Sequence, residues 1–128
     1  PSMNFIPVLL QREGTGYRVE LRTTQGSLQA ELPACEAFAA HAGQDLILGV
    51  RPESLLQVAD GLPHLPCMID LVEPTGPDTL LTTHINNSKV TVRVPPGNGW
   101  APGAGARLVP DTGRLMLFDR QSGQRIGP

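Results

Sequence analysis

The residues that could do chemistry in this 128-residue sequence are few, and their spacing suits none of the common catalytic designs. A nucleoside triphosphate site needs a glycine-rich loop ending in Gly-Lys-Ser/Thr, because backbone N–H groups cradle phosphate while the lysine and hydroxyl serve the γ-phosphate and Mg²⁺. Lys89 is the only lysine, and it stands between Ser88 and Val90. Gly97-Asn98-Gly99 and Gly103-Ala104-Gly105 are glycine loops without that context. For a metal, the possible ligands are His41, His64, His84, Cys35 and Cys67. His64 and Cys67 are close in sequence, but a structural zinc needs four converging ligands and no second pair sits nearby. The cysteines read as small core residues and the histidines as surface residues. None of Ser2, Ser27, Ser54, Ser88 and Ser122 sits in a Gly-x-Ser-x-Gly elbow. The twelve acids show no pairing that sequence alone can give geometry to, and they read as solvated surface groups.

One polar cluster stands out: Arg51-Pro52-Glu53. Arg51 and Glu53 are two apart, so on an extended chain they point to the same side. The ordinary reading is a turn with Arg51 paired across a sheet. The functional reading is a subunit contact, since arginine is enriched at interfaces. Just before it, Gly49 interrupts an apolar run, and a glycine inside a strand marks a bulge or a close approach.

The elements that would hold these residues are strands. Tyr17, Val19 and Leu21 alternate with Arg18, Glu20 and Arg22, and Leu28, Ala30 and Leu32 repeat the period of two. With Phe5 to Leu10 ahead of them, they predict a meander turning at Glu13–Gly16 and Gln25-Gly26. Pro33 to Ala42 is the one plausible helical turn, with Gly43 as its cap. Leu46 to Val50 reads as a strand buried on both faces. Leu62 to Pro66 reads as an exposed connection. Cys67 to Val72, Thr79 to Ile85 and the alternating Val90, Val92 and Val94 give the next strands, the last two joined by a tight Asn86-Asn87-Ser88 hairpin. Pro95 to Gly105 is a loop carrying the only tryptophan, Trp100, which either anchors an interface or covers the barrel mouth. Strands near Arg107–Val109 and Leu115–Phe118 follow. The 14 glycines and 13 prolines are scattered as punctuation, the layout of an all-β barrel or sandwich. The expected core is Val19, Leu21, Leu48, Val50, Ile69, Leu71, Val92, Val94 and Leu117, and Phe118 also reads as inward-facing.

The net charge of −2 and the aromatic content of 4% exclude a basic, base-stacking surface, so no nucleic-acid partner is expected. No apolar run approaches the roughly 20 residues that span a bilayer. Two cysteines make no disulfide framework, and a reduced, cytosolic setting follows.

Gly49-Val50-Arg51-Pro52-Glu53, Leu115-Met116-Leu117-Phe118-Asp119 and the opening Pro1-Ser2-Met3-Asn4-Phe5 together resemble the C-terminal regulatory region of ABC-importer ATPase subunits, in the maltose and glycerol-3-phosphate group. The likeness runs over nearly the whole chain. It implies an all-β fold of OB-like Greek-key barrel modules with at most one short helix, the transport-associated OB (TOBE) type, as one regulatory domain over residues 1–128 with the catalytic ATPase domain absent. The chain is then no enzyme and carries no cofactor, while its parent uses ATP and Mg²⁺. The resemblance also implies a regulatory and dimerisation role in import of sugars or glycerol 3-phosphate. The implied partners are a second copy of the domain, transmembrane permease subunits and a regulatory protein, at the cytoplasmic face of the membrane. Gly49, Arg51, Glu53, Glu73, Trp100 and Phe118 are the expected interface residues. The alternative is an oxyanion-sensing domain as in molybdate importers. Those open with a Ser-Ala-Arg-Asn-like segment, whereas this chain has Met3-Asn4-Phe5.

Overall fold

The computed structural model describes residues 3–97 and 99–127. Pro1 and Ser2 of the opening motif, and Asn98 of the Gly97–Gly99 loop, lie outside the described residues. Twelve strands are described: β1 (Asn4–Glu13), β2 (Gly16–Thr23), β3 (Gly26–Leu32), β4 (Asp45–Val50), β5 (Leu55–Gln57), β6 (Leu65–Met68), β7 (Leu71–Pro74), β8 (Thr79–Ile85), β9 (Ser88–Val94), β10 (Gly105–Pro110), β11 (Met116–Phe118) and β12 (Arg125–Ile126). Two 3-10 turns, Glu36–His41 and Pro52–Ser54, complete the elements. No helix among the described residues is long and apolar enough to cross a membrane.

The largest sheet runs β12-β11-β4-β1-β2-β3. Within it the order β4-β1-β2-β3 is a Greek key: three strands linked by hairpins and a fourth returning beside the first. Period-two patterning sets the register. Ile126, Leu117, Leu48 and Ile6 lie opposite one another across four strands, and all four are buried. Leu10, Val19 and Ala30 form a second such row across β1, β2 and β3. A one-residue slip would turn every one of these side chains to the other face, so the pairing is strongly specified.

Two three-stranded sheets, β5-β10-β6 and β7-β8-β9, close the other side of the core. Their junction corrects the expected strand Cys67–Val72. The Ile69 N–H donates to the Ala104 carbonyl beside β10, and the next N–H, of Asp70, donates to the Thr82 carbonyl on β8. The chain changes sheet between these residues, which shifts the alternation by one. Ile69 stays inside, but Leu71 is 47% exposed and Val72 takes the core-facing position opposite Leu81. The expected connection Leu62–Pro66 is corrected at its end: Leu65 is buried opposite Leu108 in β6. Of the apolar residues in the Pro33–Ala42 turn, only Phe38 is buried.

The sheets are joined by a polar clamp. The Asn4 amide Nδ2–H donates to the Thr91 carbonyl at 2.7 Å, and the Thr91 N–H donates to Asn4 Oδ1 at 2.9 Å. A side-chain amide thus imitates a strand peptide and ties β1 to β9. Asn86 and Asn87 take positive φ, 51° and 66°, in the two-residue turn between β8 and β9, as the hairpin chemistry requires.

Candidate interaction surface and cleft

The chain leaves β4 at Val50 and enters the Pro52–Ser54 turn, where proline suits the first position because its missing N–H would have no intrahelical partner. The Ser54 N–H closes the turn on the Arg51 carbonyl at 2.9 Å. Pro52 and Ser54 are buried while Arg51 and Glu53 are exposed, and the 3-10 turn replaces the extended chain on which their spacing was read. Arg51 makes no hydrogen bond or ion pair among the described residues, so the cross-sheet partner allowed for it is not present. The Ser54 carbonyl accepts the Asp111 N–H at 2.8 Å, which fastens the corner to the end of β10.

Beyond Asp111 the chain turns tightly. The Arg114 N–H reaches the Asp111 carbonyl at 2.9 Å, and the Gly113 N–H reaches Asp111 Oδ1 at 3.1 Å. This turn faces the Arg51 corner across an open cleft of about 590 Å³. Arg51, Glu53 and Ser54 line one wall, Asp111, Gly113, Arg114, Leu115 and Met116 the other, and Arg125 also contributes. The β11–β12 hairpin that carries Arg125 is pinned by Asp119, whose Oδ1 accepts the N–H groups of Gln121 and Ser122 at 2.9 Å each. Those donors, Ser122 first and then Gln121, hold the Asp119 carboxyl below its ordinary range.

Gly49 has an internal reason to be glycine. A Cβ there would lie 2.6 Å from Met3 Sδ and 2.7 Å from Phe118 Cε2. Phe118 is half-buried on the outer side of the sheet, because Leu117 takes the inward register opposite Leu48. The inward reading of Phe118 is therefore corrected. Its ring meets Phe5 edge-on, with centroids 5.9 Å apart, and Phe5 is 55% exposed. Met3, Phe5 and Phe118 thus cap Gly49 and leave apolar surface outside.

The structure brings Gly49 and Phe118 into contact and places Arg51 and Glu53 together in the cleft. It does not bring Glu73 or Trp100 to them. Glu73 is exposed on β7, which pairs with β8, whereas the Pro52–Ser54 turn packs on β9. Trp100 is half-buried against the core and lines neither wall of the cleft. Asp111, Arg114 and Arg125 are cleft residues that sequence reasoning missed. The Asp-x-Gly-Arg turn was the available signal, since Asp favours closing its own backbone in this way. No group of three or more His, Cys, Asp or Glu side chains converges among the described residues. Both cysteines are free thiols.

A Greek-key sheet closed by two small sheets is the architecture of a small β-barrel module. The MalK OB fold domain model matches residues 1–55 and the TOBE domain model matches residues 48–118, more than half of the chain. The chain belongs to the TOBE domain family. It is similar to the sn-glycerol-3-phosphate import ATP-binding protein UgpC of Shigella boydii serotype 4 (strain Sb227), 28% identical over 126 residues. It is also similar to the same-named proteins of Escherichia coli K12, 28% identical, and E. coli O1:K1 / APEC, 29% identical. In each case 98% of this chain aligns with 33% of the relative, so the chain spans about a third of these proteins. Among solved structures, the cytoplasmic molybdate-binding protein ModG with molybdate bound superposes with a TM-score of 0.65 at 18% identity. That match covers 91% of this chain and 95% of the other, and it attests the fold.

Proposed function

We propose that this chain is the regulatory and dimerisation domain of the ATP-binding subunit of an ABC importer for sugars or glycerol 3-phosphate. The observation that carries the reading is the end-to-end alignment with one third of glycerol-3-phosphate import ATP-binding proteins, on a TOBE-family sequence. The parent would bind ATP and Mg²⁺ in a separate domain, contact permease subunits and work at the inner face of the membrane. Its two β domains would stay in contact while the ATPase domains open and close, keeping them at high effective concentration. A regulatory protein docking on the domain would bias that cycle by a coupling free energy between the two surfaces.

The surface best suited to the two-fold contact is the exposed apolar cap of Phe5 and Phe118, with Arg51 and Glu53 at its rim. Aromatic residues supply affinity there, and rim charges supply register. The chain alone is expected neither to bind nor to hydrolyse MgATP. Calorimetry with the purified chain checks this, and micromolar ATP affinity would overturn the reading.

A further inference from the structure

The largest sheet ends at β3, and no strand among the described residues pairs with its outer edge. Thr23 and Gly26 face each other across a two-residue turn, so they exchange hydrogen bonds, and every second pair after them does the same. Leu28, Ala30 and Leu32 therefore bond to β2, while the N–H and C=O groups of Ser27, Gln29 and Glu31 point outward. Those groups make no hydrogen bond among the described residues. An edge strand of this kind is a template for another chain, and proteins ordinarily blunt it with proline, lysine or a bulge. β3 has no proline or lysine, and its ladder with β2 runs without a break. Its one charged residue, Glu31, lies opposite Arg18 on β2, so those two charges offset one another.

The same edge is one wall of a cleft of about 720 Å³. Ser27, Leu28 and Gln29 line that wall, and residues 60–64, between β5 and β6, line the other. The walls meet at one end, where Thr23 Oγ1 lies 3.2 Å from the Pro66 carbonyl oxygen and a Cβ at Gly26 would lie 3.0 Å from Pro66 Cγ. The loop is braced. The Val58 N–H donates to the Arg107 carbonyl at 2.9 Å, the Leu62 N–H to the Ala59 carbonyl at 3.3 Å, and His64 Nδ1 to the Leu62 carbonyl at 2.6 Å. Leu62 is 53% exposed on it. Asp60 is the one carboxylate among the lining residues, and it makes no hydrogen bond or ion pair among the described residues. Arg107, at the base of the loop, is committed to the Val58 carbonyl at 3.0 Å.

We infer that this edge takes up an extended peptide segment of a partner protein as an added strand, paired with the Ser27 and Gln29 backbone, with an apolar side chain on Leu62 and a lysine or arginine beside Asp60. The outward groups recur at every second residue, a repeat that an extended backbone matches and a small ligand does not. A second copy's β3 would bring no cation to Asp60. This surface goes beyond the importer reading and does not depend on it.

The probe is the acetylated and amidated peptide Thr-Val-Lys-Val-Thr, titrated into the isotope-labelled chain and followed by backbone amide NMR. The chain is kept at a concentration where sedimentation shows monomer. Saturable binding should shift the Ser27 and Gln29 amides and slow their exchange with solvent. The fully N-methylated peptide has no donors and should not bind. Gln29→Pro should abolish binding with the fold intact, since the N–H it removes bonds to nothing in the chain and edge strands tolerate proline. If that variant does not fold, Asp60→Asn decides. It should weaken the peptide about twofold to fivefold, the size of one exposed ion pair, and leave a version with glutamine in place of lysine unchanged. Four results would each overturn the inference: no saturable binding at millimolar peptide, equal binding of the N-methylated peptide, an Asp60→Asn chain that binds as the parent does, or a dimer of the free chain that Gln29→Pro turns to monomer, which would give the edge to a second copy.

Discussion

At the residue scale, Gly49 and Cys67 make the sharpest predictions. Adding a methyl group at Gly49 forces it against the Phe118 ring edge and the Met3 thioether. Gly49→Ala should therefore cost about 1–3 kcal/mol, the usual penalty of overpacking, read as a lower melting temperature. If Gly49→Ala melts with the parent, the close contact is not maintained in solution. Cys67 is buried, and burial pushes its thiol from 9.0 up to about 11. The sign of the linkage follows. The folded thiol holds its proton while the unfolded one releases it above pH 9, so stability is fully present below pH 9 and declines toward pH 11. The loss is on the order of 2–3 kcal/mol. In the native chain Cys35 should react with a thiol reagent and Cys67 only on unfolding. Equal reactivity of the two would contradict the burial. The end of β4 before Pro52 was legible in sequence because proline removes a donor, but the 3-10 turn that follows it was not, since the i, i+2 reading supposed an extended chain. The Met3–Phe118 lid over Gly49 was not legible either, because it joins residues 115 positions apart.

At the element scale, alternation predicted β2, β3 and β9 well, since each sets alternate side chains into the core. It failed where a strand passes between sheets. Periodicity placed Leu71 with Ile69 inside, but the handover of hydrogen bonds from β10 to β8 reversed the phase. Leu48→Asp should unfold the domain, because an unpaired charge would sit in the core, whereas Leu71→Asp should change stability by no more than about 0.5 kcal/mol. Thermal melts of the pair test the register directly, and a Leu71→Asp variant as damaged as Leu48→Asp would reject it. β5 is three residues long and carries no periodic signal, so it emerges only from its pairing with β10. The Asn4 clamp was also hidden, since a lone asparagine looks like any turn residue. Asn4→Ala should cost about 1–3 kcal/mol, because the Thr91 N–H and carbonyl lose their partners.

At the scale of the whole molecule, a Greek-key core and an apolar cap beside a charged corner meet in a TOBE-family sequence that is similar to glycerol-3-phosphate import ATP-binding proteins. A two-fold contact is self-complementary, so the chain by itself holds all the surface such a contact needs. Without ATPase domains to hold the copies near each other, the association should be weak and concentration-dependent. Sedimentation of the chain over a wide concentration range tests this most directly. The account predicts a monomer–dimer equilibrium that Phe5→Glu shifts to monomer without lowering the melting temperature. A chain that stays strictly monomeric at high concentration, or a dimer indifferent to Phe5→Glu, would contradict it.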